Sequence, residues 1–137
     1  MKRERKLNDL KWKIVLMIIA AALLLHVPYL GDFLRAANTM IHESGHAFAS
    51  LATNGEVYSI SLFANREGVT HAGTTSWYGS FITGLAGYLF SSLTCVFLAG
   101  LWRRSAYRLI VLTLLIFSLA NILFWVRNGY GLFWLFG

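Results

Sequence analysis

Long apolar runs alternate with short polar interruptions along the chain, and the runs define its elements. Trp12 to Leu30 is apolar apart from Lys13 at its start and His26 near its end. Ser76 to Gly100 and Leu109 to Val126 contain no charged residue. Each run is long enough to cross a hydrocarbon core of roughly 30 Å as a helix. A fourth segment, Phe33 to Thr53, has helical spacing, with Asp32 as an N-cap and Asn54-Gly55 as its stop. It is rich in alanine and carries Arg35, Asn38, His42, Glu43 and His46. A bilayer accepts such a helix only with its polar stripe turned to protein or water. Between Glu56 and Thr75 the period falls to two, because Tyr58, Ile60 and Leu62 alternate with Ser59 and Ser61. "ANREG" is turn chemistry, and "VTHA" returns as a second strand. The pattern predicts an all-α polytopic membrane protein with about four transmembrane helices. A short β-hairpin, residues 56–75, separates the second helix from the third, and residues 1–137 form a single domain.

Composition agrees with that class. The 137 residues are 57% hydrophobic and 13% charged, against about 25% charged for a soluble domain. Trp12, Trp77, Tyr78, Trp102, Tyr107 and Trp125 sit near the ends of the runs, as an interfacial belt does. The net charge of +6 does not point to nucleic acid, because six of the twelve basic residues lie in 1–13, at the start of the first run. That placement holds an N-terminus in the cytoplasm and touches anionic lipid, which makes the bilayer itself a partner. A signal peptide is the competing reading, but "HVPYLGDF" is a poor cleavage site. Cys95, the single cysteine, lies inside a run and is read as a packing residue.

Two helix faces carry more than hydropathy. On the third helix Gly79, Thr83, Gly87, Ser91, Cys95 and Ala99 recur every four residues, a small face that admits a close neighbour. On the fourth, Ser118, Asn121, Trp125 and Asn128 share one side.

The chemistry lies in "NTMIHESGHAFASLA", where His42, Glu43 and His46 form H-E-x-x-H. Helix positions i and i+4 project from one face, so two imidazoles can hold one zinc ion, Zn2+. The glutamate beside the first histidine stays near the metal without ligating it. There it can act as general base and acid, taking a proton from a water and returning it to a leaving amine. Catalytic zinc normally has a third protein ligand. No Asp or Glu follows Glu67, which leaves His71, Asn121, Asn128, Asp32 and Glu56 as candidates.

These residues resemble the site-2 protease class of intramembrane zinc metallopeptidases, in particular its small bacterial branch of B-like members. The resemblance is carried by "HESGHA" at His42 to Ala47, the hairpin that follows, "AGYL" at Ala86 to Leu89, and "VRNGYG" at Val126 to Gly131. It implies a zinc endopeptidase of the bacterial plasma membrane, with the metal held between two packed membrane helices by His42 and His46. It also implies cleavage of membrane-protein substrates in or near their transmembrane segments, and a hairpin and active site that face the cytoplasm. The family's usual third ligand, the aspartate of an L-D-G element, has no counterpart here, and Asn128 of the R-N element is the matching position. The alternative function is a non-catalytic scaffold or regulator that keeps the fold.

Overall fold

The computed structural model describes residues 2–65 and 67–136. Five helices and one hairpin follow in the order α1 (Lys2–Leu24), α2 (Leu30–Ala52), β1 (Glu56–Leu62), β2 (Gly68–Gly73), α3 (Trp77–Arg103), α4 (Tyr107–Phe124) and α5 (Gly129–Phe136). The chain divides into two compact units, Met1–Arg35 and Ala36–Gly137.

In the first unit, α1 ends at Leu24, short of the end of the apolar run at Leu30. The backbone turns through Pro28 into Tyr29, whose φ of 63° lies in the left-handed region. The turn is closed by Leu30 N–H on the Pro28 carbonyl (2.7 Å) and Gly31 N–H on that of Val27 (2.8 Å). A side chain at Gly31 would strike the Leu25 backbone, so glycine is needed where the chain doubles back. The turn starts α2 earlier than its sequence pattern suggests. Asp32 therefore lies in the first helical turn, where its charge complements the helix dipole, 3.4 Å from Arg35.

Of the four expected spans, two helices among the described residues, α3 and α4, are long and apolar enough to cross a membrane. Only 6% of each apolar window is buried, the reverse of a soluble core helix. Any α1 segment of spanning length reaches back into Asp9, Lys11 and Lys13, and the polar stripe of α2 lowers its hydropathy.

In the second unit, α2 and α3 run antiparallel with small residues at their crossing. A Cβ on Gly45 would lie 2.7 Å from the Ala86 carbonyl oxygen and 3.0 Å from Gly87 Cα. Near the other end of the crossing, Gly79 faces Thr53, whose Oγ1 would be 3.2 Å from an added Cβ. The small face of α3 thus packs on α2 from Gly79 to Gly87, whereas Cys95 and Ala99 farther along are exposed. Ser76 caps α3 by accepting from Gly79 N–H (3.2 Å). The polar face of α4 meets α2 through Asn121, 1% exposed, whose Oδ1 lies 2.8 Å from the fully buried Ser44 hydroxyl. That hydroxyl also lies 2.8 Å from the Met40 carbonyl, so its single proton has two acceptors in reach.

The hairpin is antiparallel, with Ile60 opposite Thr70 and Leu62 opposite Gly68. Its register breaks between Val57 and Ser59, which leaves Tyr58 unpaired. Ile60 and Leu62 are buried as their alternation predicts, but the bulge reverses Tyr58, which is 63% exposed. The Tyr58 hydroxyl lies 3.1 Å from Glu56 Oε2, and the neighbouring carboxylate raises the phenol above its usual pKa. Ser50, buried at the end of α2, ties down both ends of the hairpin, with its hydroxyl 3.3 Å from the Glu56 carbonyl and 3.2 Å from that of Gly73. The core is Met40, Ile41, Ala47, Ile60, Leu62 and Val126.

The segment after α4 extends this sheet. Ile60 N–H donates to the Trp125 carbonyl (2.8 Å), and Arg127 N–H approaches the Ile60 carbonyl (3.4 Å), forming a parallel bridge between Ile60 and Val126. Asn128 continues the ladder with its side chain. Its Oδ1 accepts from Leu62 N–H (3.1 Å) and its Nδ2 donates to the Leu62 carbonyl. Arg127 turns its guanidinium onto the last carbonyls of α4, including Phe124 O at 2.9 Å, where a cation offsets the helix dipole. Removing the amide in Asn128→Ala leaves two Leu62 backbone groups without partners. This should cost about 1–3 kcal/mol of stability, read as a lowered midpoint of thermal unfolding in detergent.

Candidate metal centre

The H-E-x-x-H residues lie on the stretch of α2 that crosses α3. His42 and His46, one turn apart, point the same way, and their Nε2 atoms are 3.1 Å from each other. His46 is oriented from behind, because its Nδ1 lies 2.6 Å from the Thr83 carbonyl oxygen. A carbonyl only accepts, so Nδ1 carries the proton and Nε2 presents its lone pair to the His42 side. His42 is held edge-on by its neighbours, with its ring 4.6 Å from that of Tyr88 and 4.7 Å from that of His46. Tyr88 belongs to "AGYL", so the family-like element on α3 supplies a wall of the site.

Gly87 gives the imidazoles their room. A Cβ there would lie 2.6 Å from His42 Cε1, His42 Nε2 and His46 Nε2. The two nitrogens thus converge over bare backbone.

Glu43 projects toward the hairpin and is 6% exposed. Its Oε2 accepts from the Thr70 hydroxyl on β2 (2.7 Å). Gly68, two residues earlier on the strand, passes close over the same side chain, since a Cβ there would lie 2.6 Å from Glu43 Cγ. One ligand atom from each of His42, Glu43 and His46 lies within 4.8 Å of the others. A cleft of about 400 Å³ opens beside them, between Thr70, Ala72 and Thr74 on one side and Ser80, Thr83 and Gly84 on the other.

This donor set fits zinc. Two imidazole nitrogens bound at about 2.0–2.1 Å in tetrahedral geometry are roughly 3.3 Å apart, close to the 3.1 Å here. One imidazole already has the tautomer that a ligand requires, and a carboxylate stands within reach.

The other residues singled out in the sequence lie elsewhere or are otherwise engaged. Asn128, expected as the third ligand, bonds the Leu62 backbone through both amide atoms. Its place in the R-N element is explained by strand pairing, with Gly131 leaving room for Oδ1. Asn121 pairs with Ser44. His71 is exposed on the outer face of β2, opposite to Thr70, as a strand's period of two requires. Glu56 opens β1 beside Tyr58, and Asp32 lies in the other unit with Arg35. Among the described residues, no further His, Cys, Asp or Glu joins the group. Thr70 and Gly68 were missed by sequence reasoning, since one threonine and one glycine in a hairpin carry no signal of what they face.

A family model described as Peptidase M50B-like matches residues 14–137. No curated protein and no solved structure matches the chain. The match takes in both the paired histidines of α2 and the Arg-Asn element beyond α4, and by it the chain belongs to the Peptidase M50B-like family, metallopeptidases of the site-2-protease type.

Proposed function

We propose that the protein is a zinc-dependent endopeptidase that hydrolyses peptide bonds in or near the transmembrane segments of membrane-protein substrates. One observation carries the reading. His42 and His46 converge at zinc-ligand spacing over Gly87, with the Glu43 carboxylate beside them at the edge of a cleft. Bound there, zinc would activate a water for attack and polarise the scissile carbonyl.

The chain's own residues account for the rest. Thr83 holds the His46 ring in its metal-binding tautomer through its backbone carbonyl. Glu43, adjacent to the ligands but held by the hairpin, accepts the proton of the attacking water and delivers it to the leaving amine. The cleft walls are short side chains, Ala72, Thr74, Ser80 and Gly84, which leave Glu43 open to an approaching peptide. The exposed apolar surfaces of α3 and α4 support placing this site within a bilayer.

The test is metal content. Protein purified with zinc present should carry about one ion per chain, and the double variant His42→Ala, His46→Ala should carry none. A wild type that binds no zinc under these conditions refutes the proposal.

A further inference from the structure

We propose that Thr70 is a positioning residue for this reaction: its hydroxyl donates to Oε2 of Glu43 and sets the direction in which the carboxylate meets the attacking water. The assignment rests on the reading of Glu43 as the proton carrier.

The Thr70 hydroxyl has one proton and two acceptors in reach, Glu43 Oε2 at 2.7 Å and the Glu43 carbonyl oxygen at 3.0 Å. The shorter contact goes to the carboxylate, the charged and stronger acceptor. A glutamate side chain turns about three torsions, and a general base must lie within hydrogen-bond reach of the proton that it takes. A threonine in a strand has a restricted χ1, so its hydroxyl is placed by the backbone that bears it.

That backbone is well fixed. Thr70 pairs with Ile60, which is fully buried and bonded on its other side to the Trp125 carbonyl (2.8 Å). The support therefore runs from the end of α4 through β1 and β2 to Oε2. Gly68, on the same face of β2, confines the Glu43 side chain from above, with an added Cβ 2.9 Å from Oε1. One oxygen is bonded and the side chain is hemmed in, which leaves a single arc for the carboxylate beside the cleft. A hydroxyl placed only to anchor the hairpin would need no more than the backbone carbonyl. The bond to the side chain is what assigns Thr70 to the reaction.

Thr70→Val keeps the shape and suits a strand, yet removes the donor. Turnover is measured in liposomes on an internally quenched peptide with one transmembrane segment. The expected kcat in Thr70→Val is at least about tenfold lower, with KM within about twofold and zinc content unchanged. Thr70→Ser, which restores the donor, should return kcat to within about threefold. A second readout needs neither activity nor metal. The carboxylate stretch of Glu43, isolated as the infrared difference against Glu43→Gln, should shift in Thr70→Val and return in Thr70→Ser. Full kcat and an unshifted band in Thr70→Val, alongside an inactive Glu43→Gln, would overturn the assignment of Thr70 alone. Undiminished turnover in Glu43→Gln would instead overturn the reading beneath it, and the role of Thr70 with it.

Discussion

Glu43→Gln should retain its zinc and lose its peptidase activity by about 10²–10⁴-fold, the usual contribution of a positioned general acid–base. The substitution is nearly isosteric, and its amide oxygen still accepts from Thr70, so the hairpin contact at 2.7 Å survives. What is lost is the capacity to take a proton. The two readouts must therefore separate, with metal stoichiometry near that of the wild type and turnover near background. If instead the variant cleaves a membrane-spanning peptide at the wild-type rate, Glu43 has no part in the mechanism. If the wild type cleaves nothing while still holding zinc, the protein is a scaffold that keeps a metal centre.

Gly87→Ala should weaken zinc binding at least about tenfold, although alanine in a helix interior is ordinarily favoured over glycine by about 1 kcal/mol. Its Cβ would lie 2.6 Å from three imidazole atoms, nearer than non-bonded atoms tolerate. The rings have little room to retreat, because His46 is held by the Thr83 carbonyl and His42 lies against Tyr88. The nitrogens must separate or turn, and a displacement of about 1 Å is enough to cost about two orders of magnitude in a catalytic site. Competition with a chromophoric chelator measures the affinity. Gly100→Ala, on the same helix with nothing within 4 Å of an added Cβ, is the control and should bind zinc as the wild type does. Equal affinities for all three proteins would show that Gly87 does not shape the metal site.

The sequence revealed features set by local periodicity and left hidden those set by tertiary pairing. Charge-free runs announced α3 and α4, and a period of two announced the hairpin. His42 and His46 could be placed together because helical spacing alone brings them to one face, and Glu43 adjoins His42 in the chain. Asn128 was different. Its motif was visible, but its role depends on Leu62, a residue 66 positions away that happens to need two hydrogen bonds. Tyr58 was assigned the wrong face because a bulge leaves no trace in the alternation that precedes it. The first run extends to Leu30, whereas its helix stops at Leu24, ahead of the turn at Pro28 and Tyr29. Thr70 had no signature at all, since its importance comes only from facing Glu43 across the fold.

The bridge between Ile60 and Val126 also bears on the order of assembly. Contacts that close long loops form late, because the chain entropy lost on closure must be met before the contact stabilises anything. During synthesis α2 and the hairpin emerge well before the strand-like segment at 125–128 exists to complete the ladder. Until then β1 has an open edge, and the strand that bears Thr70 lacks its final support. A nascent chain can thus carry both histidines and the glutamate without yet holding them in working order. The strand that bears Thr70 gains that support only once residues 125–128 have been added.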